Sequence, residues 1–95
     1  MIETNNIYLP SLKIGTKLRF FTENSEYNIK KVSDPCIFIL NGGSYFPKDS
    51  LVKIHGTTFG GSMIRSKQLA HGIVEIFYNG RRISTSWCGK VEFIT

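Results

Sequence analysis

The chain has 95 residues, 41% of them hydrophobic and 20% charged, a balance that suits one globular domain and excludes a disordered or fibrous chain. The net charge of +5 favours acidic or phosphate-bearing partners, but the cations are scattered and only Lys30-Lys31 and Arg81-Arg82 are adjacent. No apolar run approaches the ~18–20 residues of a membrane span, and the first residues lack the basic-then-apolar order of a signal peptide, so a cytoplasmic protein with no membrane partner is expected.

Residues 1–14 read as an extended lead-in, because Pro10 disfavours helix in the residue before it. Residues 15–95 read as a single β domain. Lys17–Thr22 sets Leu18 and Phe20 against Lys17 and Arg19, and Glu26–Val32 sets Tyr27 and Ile29 against Asn28 and Lys30. Both alternate with the period of a half-buried strand, and Glu23-Asn24-Ser25 joins them as a hairpin connection. Cys36–Leu40 is apolar throughout and predicts a central strand buried on both faces. Asn41-Gly42-Gly43 predicts a tight turn. Pro47-Lys48-Asp49-Ser50 predicts another, followed by a strand over Leu51–His55.

Gly56 to Gly72 is the least regular stretch. Ser62–His71 is the one helix candidate, with Ser62 as cap and Gly72 as stop, although Met63, Ile64, Leu69 and Ala70 form a poor helical stripe. Strand, turn and strand is the alternative. Ile73–Tyr78 and Arg81–Ser86 flank Asn79-Gly80, the strongest hairpin signal in the chain, and Lys90–Ile94 closes the domain. The expected fold is all-β with at most one short helix, a small antiparallel barrel or sandwich of about six to eight strands. Cys36 and Cys88 have no CxxC spacing and no nearby His. They read as buried free thiols, with a disulfide between neighbouring strands as the alternative.

Three segments carry candidate binding chemistry. In Gly56-Thr57-Thr58-Phe59-Gly60-Gly61-Ser62 the glycines allow backbone N–H groups to turn toward an anion, the hydroxyls add hydrogen bonds, Phe59 offers a stacking face, and Arg65 and Lys67 follow. The competing reading is a tight strand crossing with Phe59 in the core. The segment is neither a Walker loop nor a dinucleotide fingerprint. Thr22-x-Asn24-Ser25-x-Tyr27 is either a self-bonded turn or a site in which Asn24 reads a polar edge and Tyr27 stacks. Thr85-Ser86-Trp87 places the chain's one Trp either in the core or at a ligand or partner. His55 and His71 have no nucleophile in a recognisable motif, and the seven acids form no pair or metal cluster. No catalytic residue, metal or cofactor is expected.

Taken together, Thr-x-Asn-Ser-x-Tyr at 22–27, the Gly-Thr-Thr-Phe-Gly-Gly-Ser run at 56–62 and Thr-Ser at 85–86 resemble a family of small uncharacterised all-β bacterial and phage proteins. In that family an aromatic precedes Gly-Gly-Ser and a Thr-Ser pair lies near the end. The resemblance spans about Gly15 to Ile94. It departs at Trp87-Cys88, where a smaller residue followed by Val would match better. It implies a compact, stand-alone cytoplasmic β domain of phage origin and brings no activity with it.

Three functions compete. The first is a non-catalytic module that captures a nucleotide-like anionic ligand, akin in size and setting to the small proteins with which phages sequester nucleotide signals of host defence. The second is an inhibitor or assembly module that binds a host protein through edge strands and exposed aromatics. The third is a small barrel that binds nucleic acid non-specifically through Lys17, Arg19, Lys30 and aromatic platforms. A homo-oligomer is compatible with each, since two thin domains can build a pocket between them.

Overall fold

Period-two alternation puts one face of nearly every strand inside a closed antiparallel barrel. The computed structural model describes residues 2–4, 6–59 and 64–94. Its strands are β1 (Ile2–Thr4), β2 (Asn6–Tyr8), β3 (Lys17–Thr22), β4 (Glu26–Ser33), β5 (Ile37–Gly42), β6 (Phe46–Thr58), β7 (Ile64–Ser66), β8 (Gln68–Ala70), β9 (Gly72–Tyr78) and β10 (Arg81–Phe93). A meander runs β3–β4–β5–β6, β6 continues onto β9, β9 onto β10, and β10 returns to β3, which closes a six-stranded barrel.

Closure depends on two long strands that each serve two neighbours. β6 pairs with β5 through Lys53 and with β9 from Lys53 onward, and β10 pairs with β9 up to Cys88 and with β3 from Cys88 onward. Register shifts next to both handover points bend these strands, and full closure leaves the barrel itself without an open edge. The inward positions form one core that includes Leu18, Phe20, Phe38, Leu40, Ile54 and Ile76. Phe20 and Tyr27 stack at 4.9 Å within it.

The lead-in is integral to the domain. β1 pairs with the end of β10, β2 pairs with β8, and Ile7 and Leu9 are buried in the common core. A single 3-10 turn at Leu9–Ser11 follows β2. Lys31 fixes this segment. It occupies the inward phase of β4 after Tyr27 and Ile29, is fully buried, and donates to the carbonyls of Leu9 (3.0 Å), Pro10 (3.3 Å) and Leu12 (2.7 Å). Asp34 Oδ1 lies 2.9 Å from its ammonium. A buried ammonium is tolerable only with its donors satisfied, and these acceptors satisfy them.

Several expectations change. The helix candidate at 62–71 is strand, turn and strand over its described part: Ile64–Ser66 and Gln68–Ala70 reverse at Lys67, whose φ is +60°. Without a continuous apolar stripe a helix would have had no face to bury, whereas the strand form buries Leu69 and Ala70. Ser62 and Met63 lie outside the described residues. Pro47–Asp49 is not a separate turn but a bulged part of β6, lying between Phe46 opposite Gly42 and Ser50 opposite Leu40. The preceding turn is 43–45. β5 is buried on one face only: Phe38 and Leu40 point inward while Ile37 and Ile39 are half-buried on the outer wall. An unbroken apolar run therefore does not imply a strand covered on both sides here.

Asn79-Gly80 forms its hairpin with φ of +52° and +74°, the left-handed pair that a tight turn requires. Cys36 and Cys88 are free and buried, and burial raises the pKa of both thiols. No helix among the described residues is long and apolar enough to cross a membrane.

Candidate functional site

The C-terminal part of β6 first serves the fold and then leaves it. Gly56 lies so close to β7 that a Cβ there would collide with the backbone carbonyl of Arg65, so this glycine permits a strand crossing. The buried Thr57 hydroxyl donates to Gln68 O at 2.8 Å and accepts from Ala70 N at 3.2 Å, tying β6 to β8. Thr58 is also buried. Phe59, the next residue, is 55% exposed. The Arg65 guanidinium, carried on β7, lies 4.3 Å from the centre of its ring. The Trp87 ring, carried on β10, stands 6.1 Å from the same ring, tilted by 38°. Gly60, Gly61 and Ser62 lie outside the described residues.

Trp87 is 39% exposed because β10 is irregular on both sides of it, with register shifts between Ser84 and Trp87 and between Cys88 and Lys90. Beyond Trp87 lies a shallow depression of about 250 Å³ lined by Phe21, Thr22, Glu23, Gly89 and Lys90. The Lys90 ammonium stands 5.3 Å from the centre of the Phe21 ring and 3.4 Å from a Glu92 carboxylate oxygen. The Glu23 N–H donates to the Trp87 carbonyl at 3.2 Å, which holds the turn between β3 and β4 against β10.

That turn is self-bonded: Ser25 N donates to the Thr22 hydroxyl at 3.1 Å, and Thr22 N to Ser25 O at 2.8 Å. Asn24 is exposed at its tip, beside the two turn residues that line the depression. Tyr27 is turned inward onto Phe20. The buried Thr85 hydroxyl accepts from Val74 N at 3.1 Å and donates to Ser86 O at 2.7 Å, and Ser86 is half-buried. The described candidates thus divide. Phe59, Arg65 and Trp87 share one surface, Asn24 is exposed on the β3–β4 turn, and Tyr27, Thr57, Thr58 and Thr85 are packed into the barrel.

Arg65 has no carboxylate within ion-pair distance among the described residues, so its planar fork of donors remains available above Phe59. The other outward-facing cations are not all so placed. Arg19 Nε donates to Asn28 Oδ1 at 3.1 Å and lies 3.4 Å from Glu26, and Arg82 Nε pairs at 2.6 Å with the buried Glu75. No group of three or more potential metal ligands occurs among the described residues. His55 packs edge-on against Phe77 at 5.3 Å, and His71 Nε2 has no hydrogen-bond partner among the described residues.

Sequence reasoning passed over two residues of this surface, Phe21 and Lys90, and the clamp at Lys31. Each left a signal. Phe21 falls on the polar phase of β3 after Lys17 and Arg19, and Lys31 falls on the apolar phase of β4 after Tyr27 and Ile29. A residue out of phase with its strand either contacts something outside or must be neutralised within. Comparison of this chain with protein-family models, with curated proteins and with solved structures finds no match.

Proposed function

We propose that this barrel is a non-catalytic binding module that captures a nucleotide-like anion on the surface formed by Phe59, Arg65 and Trp87. One observation carries the reading: an arginine without a carboxylate partner among the described residues lies on an exposed aromatic ring, with a second exposed aromatic beside it. A planar base gains ~1–3 kcal/mol from each good aromatic stack. A phosphate takes the paired N–H donors of a guanidinium in a geometry that an ammonium does not offer. The depression beyond Trp87 gives a larger ligand room, and Lys90, paired with Glu92 at 3.4 Å, sets a second ammonium at its rim. In the phage setting that the sequence resembles, the ligand is a nucleotide signal of host defence and the module sequesters it in the cytoplasm.

Isothermal titration against a panel of cyclic and linear nucleotides tests this. Saturable binding that is weakened by F59A, W87A and R65Q supports the reading. A flat response across the panel sinks it.

A second reading uses the same surface for a host protein. It is favoured by the position of β7, which carries Arg65 and ends the strand order with β6 on one side only. Trp and Arg are also the side chains that most often anchor protein interfaces. Pull-down with wild-type and W87A protein separates the two readings: a W87A-sensitive protein partner without any nucleotide binding selects the second. Nucleic-acid binding, the third reading, would show a steep loss of affinity with salt.

A further inference from the structure

The outer wall of β3, β4 and β5 carries a second feature with no part in the Trp87 surface. Lys17 and Lys30 are direct register partners on β3 and β4. Like charges directly opposite one another across a strand pair destabilise the sheet. Neither lysine has a carboxylate within ion-pair distance among the described residues. Both line one concavity of about 420 Å³, within the size range of small-molecule sites.

The rest of that hollow suits an anion with an organic body. A polar ladder crosses it: Arg19 Nε donates to Asn28 Oδ1, Asn28 Nδ2 donates to Asn41 Oδ1 at 3.3 Å, and Asn41 Nδ2 donates to Asp49 Oδ1 at 2.6 Å. Both amide oxygens are therefore already accepting, and each Nδ2 keeps one N–H to donate. Among the described residues Asp49 is the one carboxylate lining the hollow. Ile39, held on the outer wall opposite Lys30, and Ile94, whose N–H donates to Lys17 O at 3.0 Å, supply apolar surface. A bare phosphate would leave most of such a volume empty.

We infer that Lys17 and Lys30 form a second anion site, which takes the phosphate of a small phosphomonoester whose apolar body rests on Ile39 and Ile94. The two ammonium groups match a dianion, and the amides of Asn28 and Asn41 direct N–H donors at it. The phosphate removes the repulsion that the empty site carries.

The test is an amide-resolved NMR titration with phenyl phosphate and, separately, inorganic phosphate, on wild-type, K17Q, K30Q and W87A proteins. Saturable shifts centred on Lys17, Asn28, Lys30 and Asn41 are expected, with phenyl phosphate binding more tightly than inorganic phosphate. K17Q and K30Q should each weaken binding about tenfold. W87A should leave it unchanged, so this site can fail while the Trp87 surface stands, and the reverse. In phosphate-free buffer K30Q should melt about 2–4 °C higher than wild type, because a like-charge pair has gone. Shifts that persist in K30Q, or a K30Q no more stable than wild type, would overturn the inference. So would a single-stranded oligonucleotide that binds through Lys17 and Lys30 where phenyl phosphate does not, since the wall would then be a polyanion track.

Discussion

Lys31 and Arg65 are both cations laid against the carbon framework of the barrel, and the two regions use them in opposite ways. At Lys31 three backbone carbonyls and Asp34 surround the ammonium, which is wholly buried and holds the N-terminal segment in place. At Arg65 the neighbours are the ring of Phe59 and, beyond it, that of Trp87, with no described carboxylate in range. An aromatic face attracts a cation without satisfying its hydrogen-bond donors, so Arg65 can still bind an anion while Lys31 cannot. Net charge alone hides this difference. Of the excess of +5, the part that a ligand meets depends on which cations the fold has already engaged.

The largest expected effect falls on the buried side of the comparison. Replacing Lys31 with Met takes the ammonium donor from the carbonyls of Pro10 and Leu12 and leaves that of Leu9 with the Leu12 N–H alone, and about 3–5 kcal/mol of stability should be lost in urea unfolding. Amides of β2 should lose hydrogen-exchange protection in the same variant. A loss below about 1 kcal/mol would mean that water replaces the ammonium and that Lys31 is no clamp.

The exposed side predicts the reverse pattern. W87A and F59A should cost only about 1 kcal/mol of stability, since both rings are partly in solvent, while nucleotide affinity falls by about 1–3 kcal/mol for each ring removed. If instead both variants unfold readily and bind as well as the wild type at low temperature, these aromatics belong to the fold rather than to a site.

Thr57 sharpens the boundary between the two regions. T57V removes a hydroxyl bonded to both Gln68 and Ala70 and should destabilise by about 1–2 kcal/mol with nucleotide affinity unchanged. A selective loss of affinity at constant stability would move Thr57 into the site.

The smallest effect concerns the thiols. Burial raises the pKa of Cys36 and Cys88 above the ordinary 9.0, so the unfolded chain ionises at lower pH than the folded one. Their contribution to stability is then complete below about pH 9 and is lost as pH rises through the folded pKa values. Urea midpoints should fall above pH 9 in wild type and fall less in C88A. An equal fall in both would assign the effect to other groups.

Much of the barrel was legible in the sequence because strand alternation and hairpin turns are local. Leu18 and Phe20, Tyr27 and Ile29, and the Asn79-Gly80 turn each identify themselves within a few residues. The stretch from Gly56 to Gly72 was harder, because the reversal at Lys67 is imposed by neighbours: its N–H donates to His55 O and its carbonyl accepts from Leu9 N. Those partners lie far away in the chain. The one-sided burial of β5 was likewise invisible, because an apolar run is the same string whether its second face meets protein or solvent. Phe59, Arg65 and Trp87 stood out individually as chemistry-bearing residues, but nothing local showed that three separate segments of the chain would bring them together.

The sequence by itself determined that this is an all-β domain with its strands joined by tight turns, since periodicity and turn chemistry act over a few residues. Tertiary structure decided that the sheet closes, because closure depends on where β6 and β10 bend and exchange partners. It also decided the fate of each cation, because whether a charge is free or engaged depends on acceptors that only folding brings within reach.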